Sequence, residues 1–505
     1  MRVKKSIFNT IAGLGFEAVA IVCTLILPRL ILTSFGSDYN GLTSAISQFL
    51  KMFALLQLGL GGVIQAALYK PLAENDTLKI SIVIKTARVF LRKIAVIYIG
   101  VVIILAAVFP FIVADDFDWF FTFSLVIIMS LGAFVDLFVA AGYQYMITAN
   151  QKNNVNYVIS IIVLLLSTTV SVVLINLGFG IHVVKLGAVF ALSLRPVLVY
   201  VYVHKNHKII KDVKKDNSLL KQRWDNAAQQ FASFICENTD LVVISIFTNV
   251  YEVSVYTVYM IVSNGVFGLL SPLTLGVSAA FGNMFAKNEE ANIVKGMRVL
   301  ELVAFSAATL LFGVTLVMII PFVMLYTKGI TDVNYNREIF SILVVATGLF
   351  RCFRTPYMAI VQAVGHFKQT RNGAIVEMSL NIAISIGLVF SFGIVGVVAG
   401  TLVAMVFRTV QYAVYVSRNV IKRSVFIFVK RIVLSFTCVA VIAALGYFFG
   451  LGFNVIPPDI KTWIVNAVIT TLLAFGVVLS VEMLFYKKDV LTLLELLKKG
   501  VRSKA

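Results

Sequence analysis

Seven basic residues of this 505-residue chain fall inside long apolar runs: Arg29, Lys51, Lys185, Arg195, Arg351, Arg354 and Arg408. Seven acids do the same: Glu17, Asp136, Glu237, Asp240, Glu301, Glu377 and Glu482. Charge in such surroundings needs a reason, because an ionised side chain at bilayer depth costs at least ~2.5–3.5 kcal/mol. Lys51 lies near the middle of the apolar stretch 40–68, and its neighbours Phe49, Leu50, Met52 and Phe53 supply no counter-charge. Arg351 and Arg354 stand three apart and so share one face of a helix. Two like charges on one buried face repel unless an anion or carboxylates stand between them. Guanidinium forks hold phosphate oxygens bidentately and a lysine adds a point charge, so Lys51, Arg351 and Arg354 form a candidate anion-binding set. Arg29, a turn from the outer end of the first apolar run, is a further station. The competing reading pairs these cations with Glu17, Asp136, Glu237 and Asp240 as interhelical ties.

The acids suggest a second chemistry. Glu237 and Asp240 stand three apart with Asn238 and Thr239 between them, an oxygen-rich spot in mid-run. Such a cluster could hold Na⁺, take a proton, or pair with the arginines at 351 and 354. Glu17 and Asp136 are further candidates for a coupling ion. Glu301, Glu377 and Glu482 lie within about two turns of a run's end, where they can snorkel or meet basic loops. Lys185 can snorkel too.

These residues are positioned by membrane-spanning helices. The chain is 60% hydrophobic and 13% charged, where an ordinary soluble protein carries roughly 25% charged residues. About 20 apolar residues make one crossing of a hydrocarbon core about 30 Å thick, and fourteen such crossings are expected. They run over 6–33, 40–68, 86–113, 119–149, 155–178, 181–204, 226–249, 252–284, 296–326, 337–364, 373–391, 393–417, 428–450 and 462–486. The opening stretch reads as the first crossing, since it is too long for a leader and Glu17 interrupts it. Prolines at 28, 196, 272 and 356 permit kinks. Cys23, Cys236, Cys352 and Cys438 each lie in an apolar run, without metal or disulfide spacing, and read as small hydrophobes.

The net charge of +19 does not imply nucleic acid. Thirty-three lysines and arginines fall in loops on one side, and only Lys328, Arg337 and Lys461 on the other. That is the positive-inside pattern, so both termini are expected in the cytoplasm. The tail after Val490 has leucines at helical spacing and reads as an amphipathic surface helix.

The crossings repeat. Gly180-Ile-His-Val-Val-Lys-Leu-Gly187, Arg195 and Val201-Tyr202-Val203 return as Gly393-Ile-Val-Gly-Val-Val-Ala-Gly400, Arg408 and Val414-Tyr415-Val416, each 213 positions later. Phe109-Pro110 returns as Ile320-Pro321, and Tyr143, Ala149 and Lys152 as Tyr357, Ala363 and Lys368. Six helices thus repeat in parallel orientation. The expected organisation is an amino-terminal lobe over 1–204, a basic linker over 205–225, a second lobe over 226–417, an extra helix pair over 418–486 and a cytoplasmic tail over 487–505. The equivalence of Arg195 and Arg408 favours a shared structural role.

Two six-helix lobes plus a pair is the layout of polysaccharide flippases of the multidrug/oligosaccharidyl-lipid/polysaccharide exporter superfamily. Pro28-Arg-Leu-Ile-Leu-Thr-Ser-Phe-Gly36, Tyr39-Asn-Gly-Leu42, Leu58-Gly-Leu60 and Tyr69-Lys-Pro-Leu-Ala73 resemble the first two helices of that family. The resemblance covers the whole chain in architecture and its first 75 or so residues in motif. It implies an all-α membrane protein of the bacterial cytoplasmic membrane. It also implies a polyprenyl-pyrophosphate-linked oligosaccharide as substrate, moved to the outer leaflet by alternating access, with membrane lipids and polysaccharide-assembly proteins as candidate partners. Lys51, Arg351, Arg354 and Arg29 would then meet the pyrophosphate. No cofactor is expected beyond Na⁺ or proton coupling, and no nucleophile–base pair, zinc spacing or P-loop points to an enzyme. A cation-coupled multidrug exporter, a lipid II flippase and a membrane glycan polymerase are the alternatives.

Overall fold

The computed structural model describes residues 2–53, 60–113, 116–150, 152–210, 213–216, 234–235, 238–270, 281, 284–285, 289–452 and 459–502. Among them there are helices and connecting turns, with no strand. This follows from the solvent: in hydrocarbon, a backbone group without a partner inside its own segment stays unpaired.

In the first half the order is α1 (Arg2–Phe35), α2 (Ser37–Met52), α3 (Leu60–Glu74), α4 (Thr77–Ile112), α5 (Trp119–Val135), α6 (Ala141–Ala149), α7 (Asn153–Asn176), α8 (Ile181–Leu192) and α9 (Leu194–Asn206). After α10 (Asn238–Phe247) come α11 (Val250–Leu270), α12 (Glu290–Tyr326), α13 (Glu338–Val364), α14 (Phe367–Tyr415), α15 (Phe426–Phe448), α16 (Ile460–Phe485) and α17 (Lys487–Arg502). Eleven stretches of the described residues are long and apolar enough to cross a membrane. One of them, Lys368–Val420, has 53 residues, room for two crossings, and it breaks at Gly393, where φ is 53°. Helices α2–α3 and α10 fall within the second and seventh expected crossings, so about fourteen crossings fit the described residues. Pro272, Cys236 and Glu237 lie outside the described residues.

Local chemistry sets the ends. Asp76 and Asp459 cap α4 and α16 by accepting from the amides of Lys79 at 3.0 Å and Thr462 at 2.8 Å. Gly365 closes α13 in the left-handed region at φ 71°. The turn at Gly393 folds the following crossing back on the preceding one. There Asn381 Nδ2 donates to Thr401 Oγ1 at 2.8 Å and Ser385 Oγ to the Val397 carbonyl at 3.1 Å. A Cβ on Gly400 would lie 2.5 Å from Ser385 Oγ, and one on its repeat counterpart Gly187 would lie 2.6 Å from Leu174. Small residues let helix backbones close on each other where lipid offers no hydrophobic drive.

The chain divides into two compact units, Met1–Ser254 and Val255–Ala505. The division therefore falls beyond the basic linker, with α10 in the first unit. Polar ties hold it there: Gln48 Nε2 donates to the Asn238 carbonyl at 2.8 Å and to its Oδ1 at 2.9 Å. Asn40 Nδ2 likewise donates to Ser254 Oγ at 2.8 Å. Part of the linker lies along α4, where Ile210 N donates to Ser81 Oγ and Asp216 N to Thr86 Oγ1, both at 2.9 Å.

Candidate functional site

In the first unit, Lys51 sits at the last turn of α2 and is exposed. Among the described residues no carboxylate lies within ion-pair distance of it. Glu17 is also exposed, on α1. Arg29 is partly buried on the same helix, one turn before Thr33, whose hydroxyl donates to the Arg29 carbonyl at 3.0 Å. Asp136 opens a π-helical turn, Asp136–Ala140, that interrupts the fourth crossing. The wider turn lets the Asp136 side chain approach α9, and Arg195 Nη1 stands 3.9 Å from its Oδ1. Both side chains keep about a third of their surface, 35% and 36%. Gln144, on α6, accepts from both terminal nitrogens of Arg195, at 2.7 and 3.1 Å. Asp240 is buried on α10. The Asn238 oxygens beside it are already committed to Gln48.

In the second unit the two arginines of α13 diverge in role. Arg351 donates to Asn264 Oδ1 at 3.1 Å, and its Cζ lies 3.8 Å over the ring of Phe267. Arg354 donates to Glu377 Oε1 at 2.7 Å. Glu377 also receives Arg408, whose Nε is 3.3 Å from Oε2. Arg408 donates in addition to the Thr370 carbonyl at 2.8 Å and to Gln411 Oε1 at 2.6 Å. One buried carboxylate thus joins two arginines, and the repulsion expected on the α13 face is relieved for Arg354 by an acid from the next helix.

A second network lies deeper in the same unit. Glu301 is fully buried and accepts from the Tyr357 hydroxyl at 2.5 Å and from Arg423 Nη1 at 2.8 Å. Arg423 Nη2 meets its other oxygen. Arg431 Nε stands 3.6 Å from the same carboxylate, and Arg431 Nη2 donates to Asp489 Oδ2 at 3.1 Å. The amphipathic tail helix α17 is thereby pinned to the core. Glu482 accepts from Ser306 Oγ at 2.7 Å.

Arg195 and Arg408, equivalent in the repeat, each meet a carboxylate from a neighbouring helix, as a shared structural role requires. The sequence reading did not find the Glu377–Arg354 tie. Its only signal was the match in depth between an acid on one crossing and arginines on the preceding one. Nor did it find the pairing of Arg88 and Arg92 with aromatic rings, for which their four-residue spacing was the available sign.

No protein-family model and no curated protein matches the sequence. Solved structures do. The chain is similar to the lipid II flippase MurJ in an inward closed conformation, at 16% identity and a TM-score of 0.68, over 96% of this chain and 100% of that one. It is similar to an inward-facing multidrug resistance MATE family transporter of the MOP superfamily, at 13% identity and a TM-score of 0.59, over 81% of this chain and 98% of that one. A MOP superfamily transporter from Pyrococcus furiosus shares 12% identity and a TM-score of 0.58, over 83% of this chain and 97% of that one. At such identities it is the fold that is shared, and this chain has the all-helical membrane fold of the MurJ and MATE transporters.

Proposed function

We propose that the chain is a flippase of the cytoplasmic membrane of a bacterium, with both termini in the cytoplasm. Its substrate is a polyprenyl-pyrophosphate-linked oligosaccharide, carried from the inner to the outer leaflet by alternating access. The observation that carries this reading is Lys51, a cation in mid-run that is exposed and meets no carboxylate among the described residues. Such a charge is costly unless an anion visits it. Arg351, which donates to Asn264 Oδ1 and lies over the ring of Phe267, and Arg29 are further contacts for the pyrophosphate. Arg354 is oriented by Glu377 and adds positive field beside Arg351. Asp240, Glu17, Glu237 and Asp136, the last beside Arg195, are the candidates for Na⁺ or proton coupling.

Coverage supports a lipid-carrying role. The MurJ structure spans 96% of this chain, the MATE transporter 81%. The fraction left over by the latter is about the length of the carboxyl-terminal pair and tail. The likeness to MurJ also favours a second reading, in which the lipid-linked cargo is lipid II itself.

Repressing the gene and analysing polyprenyl-pyrophosphate lipids by mass spectrometry separates the readings. Accumulation of one oligosaccharide-linked lipid in the inner leaflet is the expected result. Accumulation of lipid II would establish the second reading. An unchanged lipid pool with heightened sensitivity to cationic dyes would overturn both in favour of drug export.

A further inference from the structure

The first unit carries a cluster that the proposed translocation does not use. On α4, Arg88 and Arg92 stand one turn apart. Arg88 Cζ lies 5.0 Å from the ring centre of Tyr143, and Arg92 Cζ lies 4.7 Å from that of Phe138. Tyr143 in turn packs edge-on against Tyr200 at 5.6 Å and His204 at 5.2 Å. Neither arginine meets a carboxylate among the described residues. Two buried donors there have no hydrogen-bond partner, Arg88 Nε and the Tyr143 hydroxyl, although Tyr143 is fully buried.

The repeat shows what is missing. Tyr357 stands 214 positions after Tyr143 and Glu301 stands 213 after Arg88. In the second unit the tyrosine donates to that glutamate, which also neutralises Arg423. In the first unit the place of the acceptor is taken by a cation, so the carboxylate that the repeat supplies is missing and Arg88 Nε has no acceptor. A ligand that completes this cluster must bring oxygen acceptors and negative charge.

Depth narrows the class. Helix α4 has 36 residues and so is about 54 Å long, against about 30 Å of hydrocarbon. Its apolar part is Ile94 onward, which leaves Arg88 and Arg92 at the headgroup level on the side that the charge asymmetry makes cytoplasmic. Phe138 and Tyr200 keep 40% and 36% of their surface beside the arginines, offering ring faces to acyl chains while the guanidinium forks take phosphate.

We propose that Arg88, Arg92 and Tyr143 form a binding site for the phosphate of an anionic phospholipid of the cytoplasmic leaflet. The rings of Phe138 and Tyr200 flank the site.

The test uses the full-length protein in detergent, incubated with phosphatidylglycerol or phosphatidylcholine and examined by native mass spectrometry. The Arg88→Ala/Arg92→Ala variant should retain phosphatidylglycerol at least about tenfold less well than the wild type. A Lys368→Ala/Arg371→Ala control, which removes two exposed cations elsewhere on the same side, should retain it unchanged. Arg92→Ala alone, at an exposed position, should show a partial loss and guards against misfolding of the double variant. Equal loss in the control, or no loss in either variant of α4, would overturn the site. Displacement by inorganic phosphate would assign the cluster to a free anion instead. Tighter retention of undecaprenyl pyrophosphate than of phosphatidylglycerol would assign it to the polyprenyl lipid, and either result overturns the phospholipid assignment.

Discussion

The two units carry related helices and treat buried charge differently. In the second, two buried acids are each wrapped by arginines: Glu377 by Arg354 and Arg408, Glu301 by Arg423 and Arg431. In the first, the pair of Asp136 with Arg195 is 3.9 Å apart and a third exposed, while Arg88 and Arg92 rest on aromatic rings. Repetition has preserved the scaffold without preserving its neutralisation. The second unit spends its charges on holding helices together, and the first leaves cations open to an outside partner.

The largest expected effect follows from that contrast. Glu301→Gln keeps the shape and the acceptor for Tyr357 but strands Arg423 and Arg431 inside the second unit. Removing one partner of a buried ion pair costs about 3–5 kcal/mol, so the variant should melt far below the wild type in detergent. Asp136→Asn, at an exposed and longer pair, should cost under about 1 kcal/mol. Equal shifts in the two melting curves would erase the distinction between the units.

Glu377→Gln ranks next. It leaves Arg354 and the buried Arg408 facing each other without their carboxylate, and about 3 kcal/mol is expected. An Arg354→Leu/Glu377→Leu pair should recover part of the loss, because two apolar groups need no neutralising partner. If the pair is as unstable as the single variant, Glu377 acts chiefly through Arg408.

Lys51→Ala tests the other half of the comparison. Lys51 makes no ion pair among the described residues, so its removal takes away no stabilising contact and the variant should melt no lower than the wild type. Transport, read as accumulation of the lipid-linked precursor in the inner leaflet, should fall at least about tenfold. A variant that transports normally would move Lys51 to the solvated surface and leave the anion without its contact in the first unit.

Much of this was legible before any coordinates, for physical reasons particular to membranes. Apolar length, turn residues and the asymmetry of lysine and arginine are local signals, and they placed the described spans and the break at Gly393. The 213-residue repeat pointed to a shared structural role for Arg195 and Arg408, and each stands beside a carboxylate, loosely in the first unit and buried in the second. Partner choice was not legible. Glu377 was expected to reach basic loops, yet it binds Arg354 and Arg408 from flanking helices, because rotation about a helix axis decides which face an acid takes and hydropathy is blind to rotation. The π-helical turn at Asp136 has no proline or glycine to announce it. The boundary between units lies past the basic linker, where hydrogen bonds from Gln48 hold the start of α10 and one from Asn40 holds Ser254 in α11, and such bonds leave no pattern in composition.

The smallest effect concerns the caps at the helix ends, where the two units should behave alike. Asp76 caps α4 in the first unit and Asp459 caps α16 in the second. The amide of Lys79 holds the Asp76 carboxyl below the ordinary carboxylate range, and the amide of Thr462 does the same for Asp459. A carboxyl whose folded value is depressed stabilises the fold at pH above its unfolded value, about 3.9, and that contribution is lost as pH falls through the folded value. Melting temperature should therefore decline slightly between about pH 4 and more acid conditions. Asp76→Asn and Asp459→Asn should each flatten part of that decline while keeping a capping oxygen. Because both carboxyls sit at helix ends outside the buried networks, the two variants should differ from each other far less than Glu301→Gln differs from Asp136→Asn. A large difference between the caps would mean that the asymmetry of the units extends beyond their buried charges to the surface.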